Sequence, residues 1–260
     1  MLSSTSLVIT AWKRPAYLAQ SLQSWAAVPE LRGLNYVLVA LGWSHVYDDQ
    51  VAVIRAREAM MGRPVSVMQD SPDAADSPGM HRALGEAIDA AFTVSGTEWV
   101  LCSEEDVVVS TDVLAYTGWA QQHYADDVLC ICAHNRGGMG WDDLYAGPRD
   151  GQASQTDVRR LPYFNPWGWC ISRRKWQTVA RPAWDWDCSG GGALESGYDW
   201  GMQRLSSSGP WVNLVPDAAR SQTIGRDGGV YSTPDIFALQ QARSFREHRE
   251  HVSYQLLEDE

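Results

Sequence analysis

Glu104, Glu105 and Asp106 follow one another in the segment EWVLCSEEDVVVS (98–110), between two apolar runs at 99–102 and 107–109. Burying even one unpaired carboxylate is costly, and adjacent like charges add to the cost. Both runs can therefore be strands only if the acids project out of the core. Hard carboxylate oxygens at the end of a strand suit Mg2+ or Mn2+. Such a cation relieves the repulsion among the acids and bridges to a diphosphate, whose developing charge it stabilises. A solvated acidic turn accounts for the same three residues without any ligand, and the triplet alone does not choose between the two.

The elements that must hold these acids follow a repeating order. SLVIT (6–10), YVLVAL (36–41) and VSVMQ (65–69) have the composition of buried strands, and WVLC opens a fourth. Helical spacing fills the intervals at PAYLAQSLQSW, DDQVAVIRAREAMMG and about 80 to 92. Pro15 suits a first helical turn, Leu18, Leu22 and Trp25 share one face, and Gly62 marks a helix end. Strand and helix in alternation predict a parallel sheet with right-handed crossovers, an α/β fold whose first hundred residues form a Rossmann-like half. Ligands of such sheets bind beyond the carboxyl ends of the strands. The triplet stands at one of those ends, so it can face a crevice rather than the core.

The second half is less regular. VLCICA (128–133) and GWCIS (168–172) read as strands, 134–157 is a long polar, Gly-rich stretch of functional length, and 71–79 and 188–197 are loops. Residues 233–260 read as a closing helix, with Thr233 as N-cap and Pro234 next. No repeat and no linker interrupts the 260 residues. The net charge of −11 argues against a broad electrostatic grip on nucleic acid. The thirteen Trp supply flat apolar faces suited to a core or to sugar rings. The five Cys, with no CxxC pair, read as reduced buried thiols of a cytoplasmic protein. Neither a signal peptide nor a membrane span is evident in the sequence.

Six ordered segments carry a further signal: LVITAWKRPAYLAQSLQSW, SEEDVVVSTD, CICAHNRGGM, YFNPWGWCISRRKWQTV, YDWGMQR and VPDAARSQTIGRDGGVYS. Over about residues 6 to 237 they resemble glycosyltransferases of the GT-A fold. The resemblance is to the N-acetylglucosaminyltransferase I type and, more loosely, to family-two enzymes. It implies a Rossmann-like nucleotide-binding half (about 1–110) abutting an acceptor-binding half (about 111–232) around a central mixed sheet, with 233–260 closing a single domain. It also implies an inverting transfer from a nucleotide-sugar, UDP favoured, with Mn2+ or Mg2+ as cofactor. By the same resemblance Asp106 is the direct metal ligand, Glu105 lies near the ribose or the metal's water, and Glu104 lies near the donor sugar. Thr10, Arg14 and Arg82 line the nucleotide pocket, and Asp199 is the general base. Apart from the resemblance, at least one of Trp167 and Trp169, which flank Gly168, reads as a platform for acceptor or donor, acceptor first, unless both are core, and Asn135 reads the same way. Arg220 and Arg226 could clamp phosphate from a segment, about 220 to 232, that closes over the donor.

The sequence also departs from that pattern. The acid that reads uracil in the family has no counterpart in LVALGWSH, and Tyr231 and Ser232 stand where the family has a late histidine. Membrane anchor and stem are missing, as in a soluble bacterial or viral relative. Asp185, Asp187 and Glu195 compete with Asp199 as base, and His248 and His251 read as a solvated helix face. The acceptor stays open among a glycan, a protein side chain, a small molecule and a modified nucleobase of viral DNA. The oligomeric state is unread. A nucleotidyltransferase would also carry metal-binding acids on an α/β fold, but TAWKRP lacks the expected glycines. A non-catalytic carbohydrate-binding protein would use the Trp faces alone.

Overall fold

In the computed structural model the described residues are 2–42, 45–69, 79–136, 153–184, 186, 197–227, 233–241, 245 and 252–257. Asp185, Asp187, Cys188, Glu195, Tyr231, Ser232, His248 and His251 lie outside them, as do most of the three loops read at 71–79, 134–157 and 188–197. In chain order the first elements are β1 (Thr5–Ala11), α1 (Pro15–Ala26), β2 (Tyr36–Leu41), α2 (Tyr47–Met61), β3 (Ser66–Gln69), α3 (Gly79–Ser95) and β4 (Trp99–Glu104). Then come β5 (Val107–Val109), α4 (Val113–Gln122), β6 (Val128–Cys132), β7 (Asp157–Leu161), β8 (Trp169–Ser172) and the short α5 (Arg173–Lys175). The chain continues with α6 (Tyr198–Ser208), β9 (Val212–Pro216), β10 (Ser221–Thr223), α7 (Pro234–Gln241) and β11 (Gln255–Leu256).

Nine strands form one mixed sheet in the order β11-β7-β9-β6-β8-β4-β1-β2-β3. β3, β2, β1 and β4 run parallel, and β8 returns antiparallel between β4 and β6. β1 is flanked by β2 on one side and β4 on the other, so strand order reverses there. The crevice at their carboxyl ends is the ligand position expected of such a switch point. Pairing of Thr10 with Glu104 puts the end of β1 beside the start of the triplet.

Both faces of the sheet are covered, which explains the near-continuous apolar strands. Along β1, Leu7, Ile9 and Ala11 belong to the core on the α1 and α2 side, while Val8 belongs to the opposite layer. α1 buries Leu18, Leu22 and Trp25, the stripe read from its spacing, with Pro15 in its first turn. α3 buries Leu84, Ala87, Ile88, Ala91 and Phe92 against the other face. α2 ends where Gly62 takes a left-handed φ of 64° and donates its N–H to Glu58.

Residues 107–109 form a strand of their own: a turn at Glu105 and Asp106 directs them into a two-stranded ribbon with β10. That turn is how the chain keeps two apolar runs without burying three acids in the sheet. One expectation needs correction: the closing helix does not run through 233–260. α7 covers Pro234–Gln241, with the Thr233 hydroxyl accepting the N–H of Ile236 as its cap; among the residues described beyond it, Phe245 bridges Ala219 and β11 pairs in parallel with β7. Tyr254 and Leu256 pack against the core there, an outcome that helical spacing in a charged stretch did not reveal. No described helix is long and apolar enough to cross a membrane.

Candidate active site

The loop joining β1 to α1 folds over the triplet because Glu105 holds it. Glu105 Oε2 accepts the backbone N–H groups of Trp12 (2.9 Å) and Arg14 (3.3 Å), and Oε1 accepts Arg14 Nε at 2.7 Å. Only 2% of Glu105 is exposed. Both its oxygens thus face donors of the chain, so Glu105 staples the loop over the triplet. Arg14 reaches past it, placing Nη2 2.8 Å from Asp106 Oδ2. One guanidinium therefore serves two carboxylates.

Asp106 is nearly buried, and its Oδ1 has no hydrogen-bond partner; neither has Arg14 Nη1. Burial pushes the Asp106 carboxyl above its ordinary range, Arg14 opposes the rise, and the charge of Glu105 adds to it. The segment after β10 lies over both groups. Ile224 donates its N–H to the Asp106 carbonyl at 2.7 Å, and Asp227 N–H reaches Tyr17 Oη at 3.1 Å. Gly225 is required between them: a Cβ there would stand 2.0 Å from Asp106 Oδ2 and 3.1 Å from Arg14 Nη1.

These groups decide what cation the site could take. No cluster of three His, Cys, Asp or Glu suited to a metal occurs among the described residues. One buried carboxylate oxygen, Asp106 Oδ1, is unshared. The residues fit a hard divalent ion that takes one oxygen from the protein and the rest from phosphate and water, as Mg2+-type sites commonly do. They do not fit an ion caged by protein alone.

Glu104 faces the other way. Its Oε1 accepts the hydroxyl of Tyr198, the first residue of α6. That contact spans 94 positions of sequence and brings Asp199, the expected base, to the edge of the triplet. Glu104 is pushed up to about 8 by burial first, then by the charge of Asp106; Asp199 also raises it, while Tyr198 and Arg14 oppose. A raised folded value means that stability present below the ordinary 4.5 is lost as pH rises toward 8. Glu104→Gln should therefore gain on the wild type between about pH 5 and pH 8 and hold that gain above it. Urea unfolding at several pH values checks this, and a difference that is flat with pH refutes it.

Tyr198 itself stacks between Trp169 (centroids 6.1 Å apart) and Trp184 (5.9 Å), with His81 of α3 edge-on at 6.0 Å. Asp199 is half-buried in the first turn of α6. Burial holds its carboxyl above the ordinary range, and the Trp200 N–H, Arg136 and His81 pull it back. A narrow cleft opens on this side, lined by His81, Trp184, Gly197, Tyr198, Gly201 and Met202. His81, Arg136 and Tyr198 were not singled out from sequence.

The remaining expected residues are placed as follows. Thr10 is buried and its hydroxyl donates to the Ser103 carbonyl at 3.4 Å, between β1 and β4. Arg82 pairs with Glu86 at 2.8 Å in an exposed i,i+4 bridge on α3. Arg226 is exposed just beyond Gly225. Asn135 is buried, donating to the Pro216 carbonyl at 3.0 Å and accepting from Tyr163 at 3.4 Å. Trp167 is partly exposed, edge-on to His134 at 4.7 Å, whereas Trp169 is fully buried in the core against Phe164. Arg220 does not reach the crevice: it is 1% exposed and held by Asp112 (3.1 Å) and the Gln155 carbonyl.

No family model matches this chain, and no curated protein matches it in sequence. Solved structures resemble it in fold. TarS (residues 1–349) from S. aureus overlays 84% of this chain and 59% of its own at 14% identity and a TM-score of 0.54. The mannosyltransferase PcManGT from Pyrobaculum calidifontis, solved with GDP-Man and Mn2+, overlays 82% of this chain and 54% of its own at 14% identity and a TM-score of 0.52. The chain thus spans between half and three fifths of those structures' length. With the mixed sheet and the crevice at its switch point, the architecture is the GT-A fold.

Proposed function

We propose that this protein is a glycosyltransferase that moves a sugar from a nucleotide-sugar, a UDP-sugar in first place, to an acceptor hydroxyl with inversion. The observation that supports the reading is the Tyr198–Glu104 contact, which sets the first turn of α6, with Asp199, beside the triplet that carries Asp106 and its partner Arg14. Inverting transfer needs one carboxylate to take the acceptor proton and a separate cationic pole for the leaving diphosphate. In this reading Asp199 receives the acceptor's hydroxyl proton as that oxygen bonds to the anomeric carbon. The bond from that carbon to the diphosphate breaks on the opposite side, and its electron pair leaves with the diphosphate. Asp106 would hold Mn2+ or Mg2+ through Oδ1, a cation that neutralises the departing diphosphate. The unshared Nη1 of Arg14 faces the same space and would meet phosphate oxygens. The 224–227 segment over Asp106 would exclude water from the donor.

The ordered segments favour the N-acetylglucosaminyltransferase I type, and the continuous sheet favours one domain with a donor half and an acceptor half. The four described cysteines are buried free thiols, which favours a reducing cytoplasmic setting. The acceptor falls among glycan, protein side chain, small molecule and modified nucleobase.

Thermal unfolding with UDP-, GDP- and CMP-sugars, each with and without Mn2+, tests the reading. A donor at a hundred times its Kd stabilises by about 2.7 kcal/mol, on the order of 5–10 °C for a chain of this size. We expect that shift for one donor class with Mn2+, a much smaller one without it, and little from Mn2+ alone. Release of nucleoside diphosphate should follow, and Asp106→Asn should lose both. No shift with any donor, or release untouched by Asp106→Asn, sinks the reading. Pyrophosphate release from a nucleoside triphosphate and a sugar phosphate assigns a nucleotidyltransferase instead.

A further inference from the structure

Arginine is almost never fully buried unless it is paired, and Arg136, just beyond β6, is only 5% exposed. Its place is fixed at several points. The backbone N–H donates to Asn165 Oδ1 at 2.7 Å, and Nη2 donates to Gln203 Oε1 at 2.9 Å. The same Gln203 oxygen accepts the Phe164 N–H at 2.9 Å, so the tether cannot swing. The guanidinium carbon stands 5.9 Å from the ring centre of Trp200. Asp199 and Gln203 are four residues apart on α6, so their side chains share one face about 5–6 Å apart at Cβ. A guanidinium fixed to the tip of Gln203 and set over Trp200 therefore lies along the face that carries Asp199. Asp199 Oδ1 is turned back over Gly197, where a Cβ would stand 2.3 Å from it and 3.7 Å from His81 Nε2.

We propose that Arg136 is the positioning residue of the base, a fixed counter-charge that Gln203 holds against the Asp199 carboxylate. The proposal rests on the reading of Asp199 as general base. Among the described residues, four ionisable groups face that carboxylate: Arg136 beyond β6, His81 on α3, Glu104 on β4 and Tyr198 beside it on α6. Burial penalises its charged form, and Arg136 and His81 oppose that penalty. A base that must start ionised in a half-buried crevice needs such a partner. Arginine suits the task because its charge is permanent and its planar fork bonds Gln203 in a fixed geometry.

The test is a 13C-carboxyl NMR titration of the full chain, with no ligand present and the Asp199 resonance assigned through Asp199→Asn. Removing an opposite charge at close range raises a carboxyl midpoint by about one unit or more. We expect that rise in Arg136→Met and a return toward wild type in Arg136→Lys. With UDP-glucose and Mn2+, hydrolytic turnover of Arg136→Met should fall about tenfold below the new midpoint and recover at higher pH. The donor KM should not move. Should Arg136→Met not fold, Gln203→Met keeps the guanidinium but frees it, and a smaller rise in the same direction is expected. An unmoved Asp199 midpoint in the folded variant overturns the proposal. The two readings fail separately. If Asp199→Asn keeps full turnover while the midpoint still moves, the base assignment falls and the Arg136 coupling stands. If Asp199→Asn is inactive and the midpoint does not move, the reverse holds.

Discussion

Asp199→Asn should lower turnover at saturating donor by about 10²- to 10⁴-fold, the contribution usual for a positioned general base. The amide is nearly isosteric and its oxygen can still accept the Trp200 N–H, so the first turn of α6 is expected to survive. What it cannot do is take a proton from an attacking hydroxyl. On the proposed reading donor affinity should stay within about twofold, because Asp106 and Arg14 rather than Asp199 would hold the diphosphate. The pH profile supplies a second signature. Burial raises the Asp199 carboxyl above its ordinary range, so wild-type kcat/KM should climb through a limb displaced upward from that of a free carboxylate. The variant should lose that limb. Steady-state kinetics over pH, with melting temperature as a control of folding, decides it. Turnover within threefold of wild type would remove Asp199 from the reaction.

The first half of the fold was legible because its residues repeat one simple pattern. β1 and β2 carry near-continuous apolar runs because both their faces are covered, and α1 announces itself through Pro15 and the Leu18, Leu22, Trp25 stripe. β7, reading DVRRL, and α6, reading YDWGMQRLSSS, gave no such signal. β7 lies near a sheet edge with partly exposed side chains, and α6 carries an interior Gly and a Ser run of poor helix propensity. β11 pairs over two residues, which no periodicity can show. The triplet itself was found, but the partners that hold Glu105 and Glu104 were not. Glu105 is bound by N–H groups some ninety positions upstream, and only the fold brings them together. The Arg82–Glu86 pair was readable as an ordinary i,i+4 bridge on an exposed helix face. Arg136 left one clue, a cation behind His134 and Asn135 at the end of the apolar run CICA. Nothing in that clue named Asp199, because the tether runs through Gln203 on a helix that was itself unread.

Arg14→Met is expected to be the most destabilising single change at the site, costing about 3–5 kcal/mol at neutral pH. The side chain of Glu105 is 3% exposed and that of Asp106 12%, and one guanidinium bonds both. Its removal strands two negative charges in a poorly solvated turn. Loss of contact area cannot explain a cost of this size, since Met fills much of the same space. The pH dependence separates the two causes. The Asp106 carboxyl is already held above its ordinary 3.8 by burial, and Arg14 opposes that rise. Without Arg14 the folded value rises further. An acid whose folded value lies above its unfolded one gives stability that is whole below the unfolded value and is lost as pH climbs through the folded one. The deficit of Arg14→Met should thus be smallest near pH 4 and widest at neutral pH and above. Urea unfolding at both ends of that window measures it. Adding Asp106→Asn to Arg14→Met removes one stranded charge and should recover part of the loss at neutral pH, a non-additivity expected of directly bonded partners. A deficit equal at both pH values, with no recovery in the double variant, would mean that Arg14 acts through packing, and that the crevice carries no charge balance for a diphosphate to enter.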